Sequence, residues 1–106
     1  MDQKTAQIAK RFAFKVRKRY SPVKIILFGS RARGDYLNQS DFDFLIISKK
    51  FENTPFMFRA SDLYGAWNEA VDIEPLCYTP KEFERKKKKI GIVRQAVKEG
   101  IEILAE

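Results

Sequence analysis

Two carboxylates, Asp41 and Asp43, open one apolar segment of this chain, and a Gly29-Ser30 pair closes another. Ten residues, Arg31 to Ser40, separate the two pairs. In a strand, residues two apart project from the same face, so Asp41 and Asp43 would stand together and repel unless a cation lay between them. Magnesium takes hard oxygen ligands and binds through one or two carboxylates plus substrate phosphates and water. Gly29 has no Cβ to obstruct a phosphate, and Ser30 offers a hydroxyl and an amide at the start of a short helix, where anions are attracted. The pairing describes a place for a nucleoside triphosphate in the turn and its magnesium on the carboxylates, which is equipment for phosphoryl transfer.

A third carboxylate is available downstream in Val71-Asp72-Ile73-Glu74-Pro75. If this segment neighbours the first carboxylate strand, Asp72 could join Asp41 and Asp43 around one or two metal ions, one activating the attacking hydroxyl and the other steadying the leaving group. Asp72 is preferred because Val71 and Ile73 flank it as core anchors, whereas Glu74 precedes a proline that bends strands. A shift in register would exchange them. Arg31 and Arg33 could neutralise triphosphate oxygens in a guanidinium fork, or pair with Asp35 on the surface. Ser40 either meets a phosphate or caps its loop.

These side chains need strands to hold them. Ile8, Phe12, Val16 and Tyr20 recur every fourth residue and predict an amphipathic helix over Thr5 to Tyr20, ended by Ser21-Pro22. Phe14 falls off that stripe. Val23 to Phe28 reads as a strand buried on both faces, and Asp41 to Ile47 returns to strand character after a helical turn and a loop. Thr54-Pro55 offers a helix start, and a helix to about Ala70 would carry Phe56, Leu63, Tyr64 and Trp67 toward the core, although Gly65 weakens it. Val71 to Tyr78 is the third strand, which Pro75 pushes toward a sheet edge. Thr79-Pro80-Lys81-Glu82 has the composition of a capping box. The helix it starts is expected to carry the basic run Arg85 to Lys89, and Ile92, Val93, Ala96, Val97, Ile101 and Leu104 mark a last amphipathic helix. The expected fold is α/β or α+β, a small mixed sheet with flanking helices in one domain spanning residues 1–106.

Bulk properties narrow the chemistry. With 106 residues, 44% of them hydrophobic, a modest core and a minimal catalytic module fit, but no separate substrate-recognition domain does. Histidine is absent, which removes Ser-His-Asp catalysis and imidazole zinc ligands and leaves carboxylates and metal to do any catalysis. A formal charge of +7 favours an anionic partner such as a nucleotide, a nucleic acid or an acidic protein. Cys77 is the only cysteine, no apolar leader is evident, and the apolar runs fall far short of the ~20 residues of a membrane span, so a cytoplasmic location is expected.

Gly29-Ser30, ten residues, Asp41-x-Asp43 and a later Asp72 together resemble the minimal nucleotidyltransferases of the DNA polymerase beta superfamily. The match runs from Val23 to Tyr78. The resemblance implies the polymerase-beta-like fold, magnesium, and transfer of a nucleoside monophosphate from a triphosphate such as ATP to a hydroxyl, with release of pyrophosphate. It implies that Gly29 and Ser30 hold the triphosphate, that Asp41 and Asp43 bind metal, and that Asp72 completes the site and helps deprotonate the acceptor. Many such proteins are antitoxins that silence a HEPN-domain toxin by adenylylating a tyrosine, so the resemblance also implies a separate HEPN partner, in a homo- or hetero-oligomer. Two other readings stand beside it: an antitoxin that neutralises by binding alone, and a basic RNA-binding module that uses Arg85 to Lys89.

Overall fold

The computed structural model describes residues 1–104. Helix α1 (Gln3–Tyr20) is capped by Asp2, whose side chain accepts from the Thr5 N–H, and it buries Ile8, Phe12, Val16 and Tyr20 as the periodicity predicts. Phe14 lies exposed beneath the Lys18 ammonium. Strand β1 (Val23–Phe28) leads into the single helical turn α2 (Ser30–Arg33), and β2 (Phe42–Ser48) follows. Strand β3 (Ile73–Tyr78), helix α4 (Pro80–Lys86), helix α5 (Ile92–Glu99) and the short strand β4 (Ile101–Glu102) complete the order.

The sheet is mixed, with order β3-β2-β1-β4. β1 runs antiparallel to β2 and β4, whereas β2 and β3 are parallel. Pro75 therefore lies in an edge strand, where its missing N–H costs no ladder bond. Both faces are covered, which is why β1 and β2 read as continuous apolar runs. Phe42, Phe44 and Ile46 pack with Ile25, Leu27 and α1, and the Phe12 and Phe44 rings lie 4.8 Å apart. Leu45 and Ile47 pack with Ile26, Phe28, Phe83 of α4, and Val93 and Ala96 of α5.

Two expected helices differ. No long helix spans residues 54–70; the segment forms a 3-10 turn at Phe56–Phe58 and a five-residue helix α3 (Ser61–Gly65). Pro55 is extended rather than helical, and the Trp67 indole N–H donates to the Val71 carbonyl at 2.6 Å, turning the chain where a helix would continue. Leu63 and Trp67 reach the core, but Phe56 and Tyr64 are exposed. The second difference is at the C-terminal end, where Gly100 stops α5 and Ile101 joins the sheet. A Cβ on Gly100 would collide with the Ala96 carbonyl and the Ile26 side chain, so the chain can lie against β1 only with glycine there. Leu104 is exposed.

The capping box at Thr79 and Glu82 forms as its composition predicts. Glu82 is also gripped by the buried Arg59, whose guanidinium donates to both carboxylate oxygens and to the Thr54 and Cys77 carbonyls. This clamp fixes the irregular 52–59 segment onto α4, and the Arg59 hydrogen bond holds the Glu82 pKa down to about 2. A depressed carboxylate pKa contributes stability that is present above its unfolded value, near 4.5, and is lost as pH falls toward 2. Arg59→Met is expected to lower the unfolding free energy by about 2–3 kcal/mol at pH 7. In urea melts that deficit should shrink as pH is lowered from 5 toward 2.

Candidate active site

The carboxylates gather where β1 ends and β2 and β3 begin. Register pairs Phe28 with Asp43 across β1 and β2, and Asp43 with Glu74 across β2 and β3. Asp41 and Asp43 are half-buried on either side of the fully buried Phe42, in the alternation expected of them. Asp43 shares the sheet face of Leu45 and Ile47, but the helices covering those residues leave this end open, and Glu74 is exposed.

Gly29 follows β1 with φ 75° and ψ −160°, a backbone region that is essentially restricted to glycine. A Cβ there would collide with the Asp43 carboxylate. The turn and the carboxylate are thus in contact, and Ser30 opens α2 beside them.

The third position is ordered by register. Glu74 stands opposite Asp43, and the two carboxyl groups are close enough to share a hydrogen bond. Asp72 lies one step before the first ladder pair, Phe42 with Ile73, with an exposed side chain and a carbonyl that accepts from the Phe42 N–H at 3.0 Å. Among the described residues, no three acidic, cysteine or histidine side chains converge closely enough to hold a metal ion unaided. The donors nevertheless suit a hard divalent cation, because magnesium completes its shell with phosphate oxygens and water rather than with a closed protein cage.

The two arginines separate in role. Arg31 is buried, stacked between Tyr36 at 4.0 Å and Phe42 at 4.6 Å, and donates to the Ser40 and Asn38 carbonyls. Its guanidinium shapes the loop that carries Asp41 instead of facing solvent, which differs from the expected phosphate contact. Arg33 is half-exposed and is held by Asp35 and Glu99, each at 3.1 Å. Ser40 caps its own loop through Leu37. The basic run Arg85 to Lys89 follows the other end of β3, away from the carboxylates, and only its first residues are helical.

Glu99 is the residue that sequence reasoning missed. From the last turn of α5 it accepts from the Gly29 N–H at 3.2 Å. Nothing local marks a glutamate seventy residues away as a partner of Gly29; only the return of β4 onto β1 brings it there.

Burial, then the charge of Glu74 and their hydrogen bond, push the Asp43 pKa up to about 6, with Asp41 adding to the shift and Arg33 opposing it. A carboxyl raised above its unfolded value, near 4, stabilises the fold less as pH rises through 6. Without divalent cations, Asp43→Asn is expected to raise stability at pH 8 by on the order of 1 kcal/mol, after allowing for solvent screening, with the gain closing by pH 4. Paired thermal melts at the two pH values check this.

The sequence profile described as a nucleotidyltransferase domain matches residues 7–102. Among solved structures, the chain is similar to a presumed nucleotidyltransferase from Sulfolobus solfataricus, with 24% identity and a TM-score of 0.66 over 93% of this chain and 78% of that one. At that identity the likeness speaks to the fold, and it agrees with a mixed sheet flanked by helices. Among curated proteins no significant match was found. No helix among the described residues is long and apolar enough to cross a membrane. With the family profile spanning nearly its whole length, the chain belongs to the nucleotidyltransferase domain family.

Proposed function

We propose that this chain is a metal-dependent nucleotidyltransferase that moves AMP from ATP to a hydroxyl on a separate polypeptide. The observation that carries this reading is the contact between the Gly29 turn and the Asp43 carboxylate, with Asp41 and Glu74 beside it, in a member of the nucleotidyltransferase domain family. Asp41, Asp43 and Glu74, with Asp72 at the rim, would hold magnesium, which when bound would neutralise phosphate charge and acidify the acceptor hydroxyl.

The protein's own groups then have distinct tasks. Gly29 leaves the approach to Asp43 free of a side chain, Ser30 offers its hydroxyl and amide to the triphosphate, and Arg33 supplies a positive charge from the rim. The acceptor oxygen bonds to the α-phosphorus as the bond to the β-phosphate bridging oxygen breaks, and pyrophosphate leaves. The acceptor proton passes to a carboxylate of the cluster. Resemblance of the motif to antitoxin nucleotidyltransferases extends the proposal to the acceptor: a tyrosine of a HEPN-domain toxin.

Labelled ATP with magnesium and a candidate HEPN protein should transfer label to that protein. Asp41→Ala/Asp43→Ala is expected to lower the rate by about a thousandfold or more, because positioning and charge neutralisation supply most of the catalysis in such sites. Undiminished labelling by the double variant would sink the proposal. Neutralisation of the toxin without label transfer would favour an antitoxin that acts by binding alone.

A further inference from the structure

Glu99 belongs to neither the carboxylate cluster nor the motif, yet it touches both halves of the triphosphate side of the site. Its Oε1 accepts from the Gly29 N–H at 3.2 Å and from an Arg33 guanidinium nitrogen at 3.1 Å, while Oε2 accepts from Gln95, one turn earlier in α5, at 3.1 Å. The carboxylate is sheltered, with 17% of the side chain exposed against 45% for Arg33. One end of this pair is therefore fixed inside the protein while the other reaches solvent.

Two further features make the arrangement rigid. Gly29 sits in a mirror-extended conformation open to glycine alone, and its amide is held by the Glu99 carboxylate. Gly100, the next residue after Glu99, lies so close to the Ile26 side chain and the Leu27 carbonyl that a Cβ would collide there, which packs the end of α5 tightly on β1. Arg33 is then gripped through Nε by Asp35 and through NH1 by Glu99, and a guanidinium already ordered loses less freedom on meeting a phosphate than a free one.

We infer that Glu99 is a positioning residue for the triphosphate: without touching substrate, it sets the Gly29 amide plane and aims the Arg33 guanidinium. This rests on the nucleotidyl-transfer reading above. A carboxylate on a cation that substrate needs could instead compete with the triphosphate, and the two roles separate by charge. A glutamine can place its carbonyl oxygen where Oε1 lies and keep both bonds without the negative charge, with the Gln95 amide turning to match.

The test measures binding of a non-hydrolysable ATP analogue with magnesium by calorimetry, alongside kcat and KM for transfer. Glu99→Ala is expected to raise both Kd and KM about tenfold with kcat held within about threefold, and Glu99→Gln to restore most of the lost affinity. In an Arg33→Ala background the Glu99→Ala effect should fall below about threefold, because the residue acts largely through Arg33. Should Glu99→Ala fail to fold, Glu99→Asp, which keeps the charge but shortens the reach, is expected to show the same loss in Kd and KM. Unchanged nucleotide affinity in Glu99→Ala overturns the inference, as does tighter binding by Glu99→Gln, which would mean competition. A wild-type protein that binds no triphosphate overturns the functional reading itself, and is distinguished from these outcomes because no variant is needed to see it.

Discussion

The carboxylate of Asp43 occupies the space where any side chain at position 29 would have to go. That contact holds a half-buried negative charge against a backbone turn and beside the exposed Glu74. Much of the local design follows from it. Residue 29 must be glycine, β1 must end opposite Asp43, and the amide of the resulting turn must be held from elsewhere in the chain, which Glu99 does.

Clustered carboxylates work against folding, since each must lose some hydration near a like charge. The opposing contributions lie immediately behind them. Phe42, between Asp41 and Asp43, is fully buried against the Trp67 ring and under the Arg31 guanidinium. Arg31 in turn ties the carbonyls of Asn38 and Ser40, so the loop delivering Asp41 is fastened by a cation that stays inside. The destabilising charge of the carboxylate cluster is mounted on an aromatic core that can carry it.

The parts legible in the sequence were those set by short-range periodicity. The stripe of α1, the apolar runs of β1 and β2, the capping box at Thr79 and the edge placement of Pro75 need only neighbours in the chain to be specified. Asp41 and Asp43 sharing a face follows from strand geometry in the same way. Illegible features depend on contacts between distant segments. The 54–70 region has helical composition, but Arg59 reaching Glu82 and Trp67 reaching Val71 override it. Ile101 fits a helical stripe equally well as a strand, and only the close approach of Gly100 to β1 decides between them. Arg31 and Arg33 look alike in sequence, yet burial between two rings separates a scaffold cation from one at the rim.

The parallel pairing of β2 with β3 explains why acidic pairs at two distant places in the sequence meet. Parallel strands start at the same end, so Asp41-x-Asp43 and Asp72-x-Glu74 are brought to one edge of the sheet beside the exit of antiparallel β1. Because side chains alternate with a period of two, a one-residue slip of β3 would set Ile73 or Pro75 opposite Asp43 and turn its acidic residues to the other face. A two-residue slip would keep the face and merely exchange Asp72 for Glu74. The hydrophobic pattern forbids the first and is indifferent to the second, so composition alone could not rank the two acids. The ladder that begins with Phe42 and Ile73 ranks them, setting Glu74 against Asp43 and Asp72 at the rim.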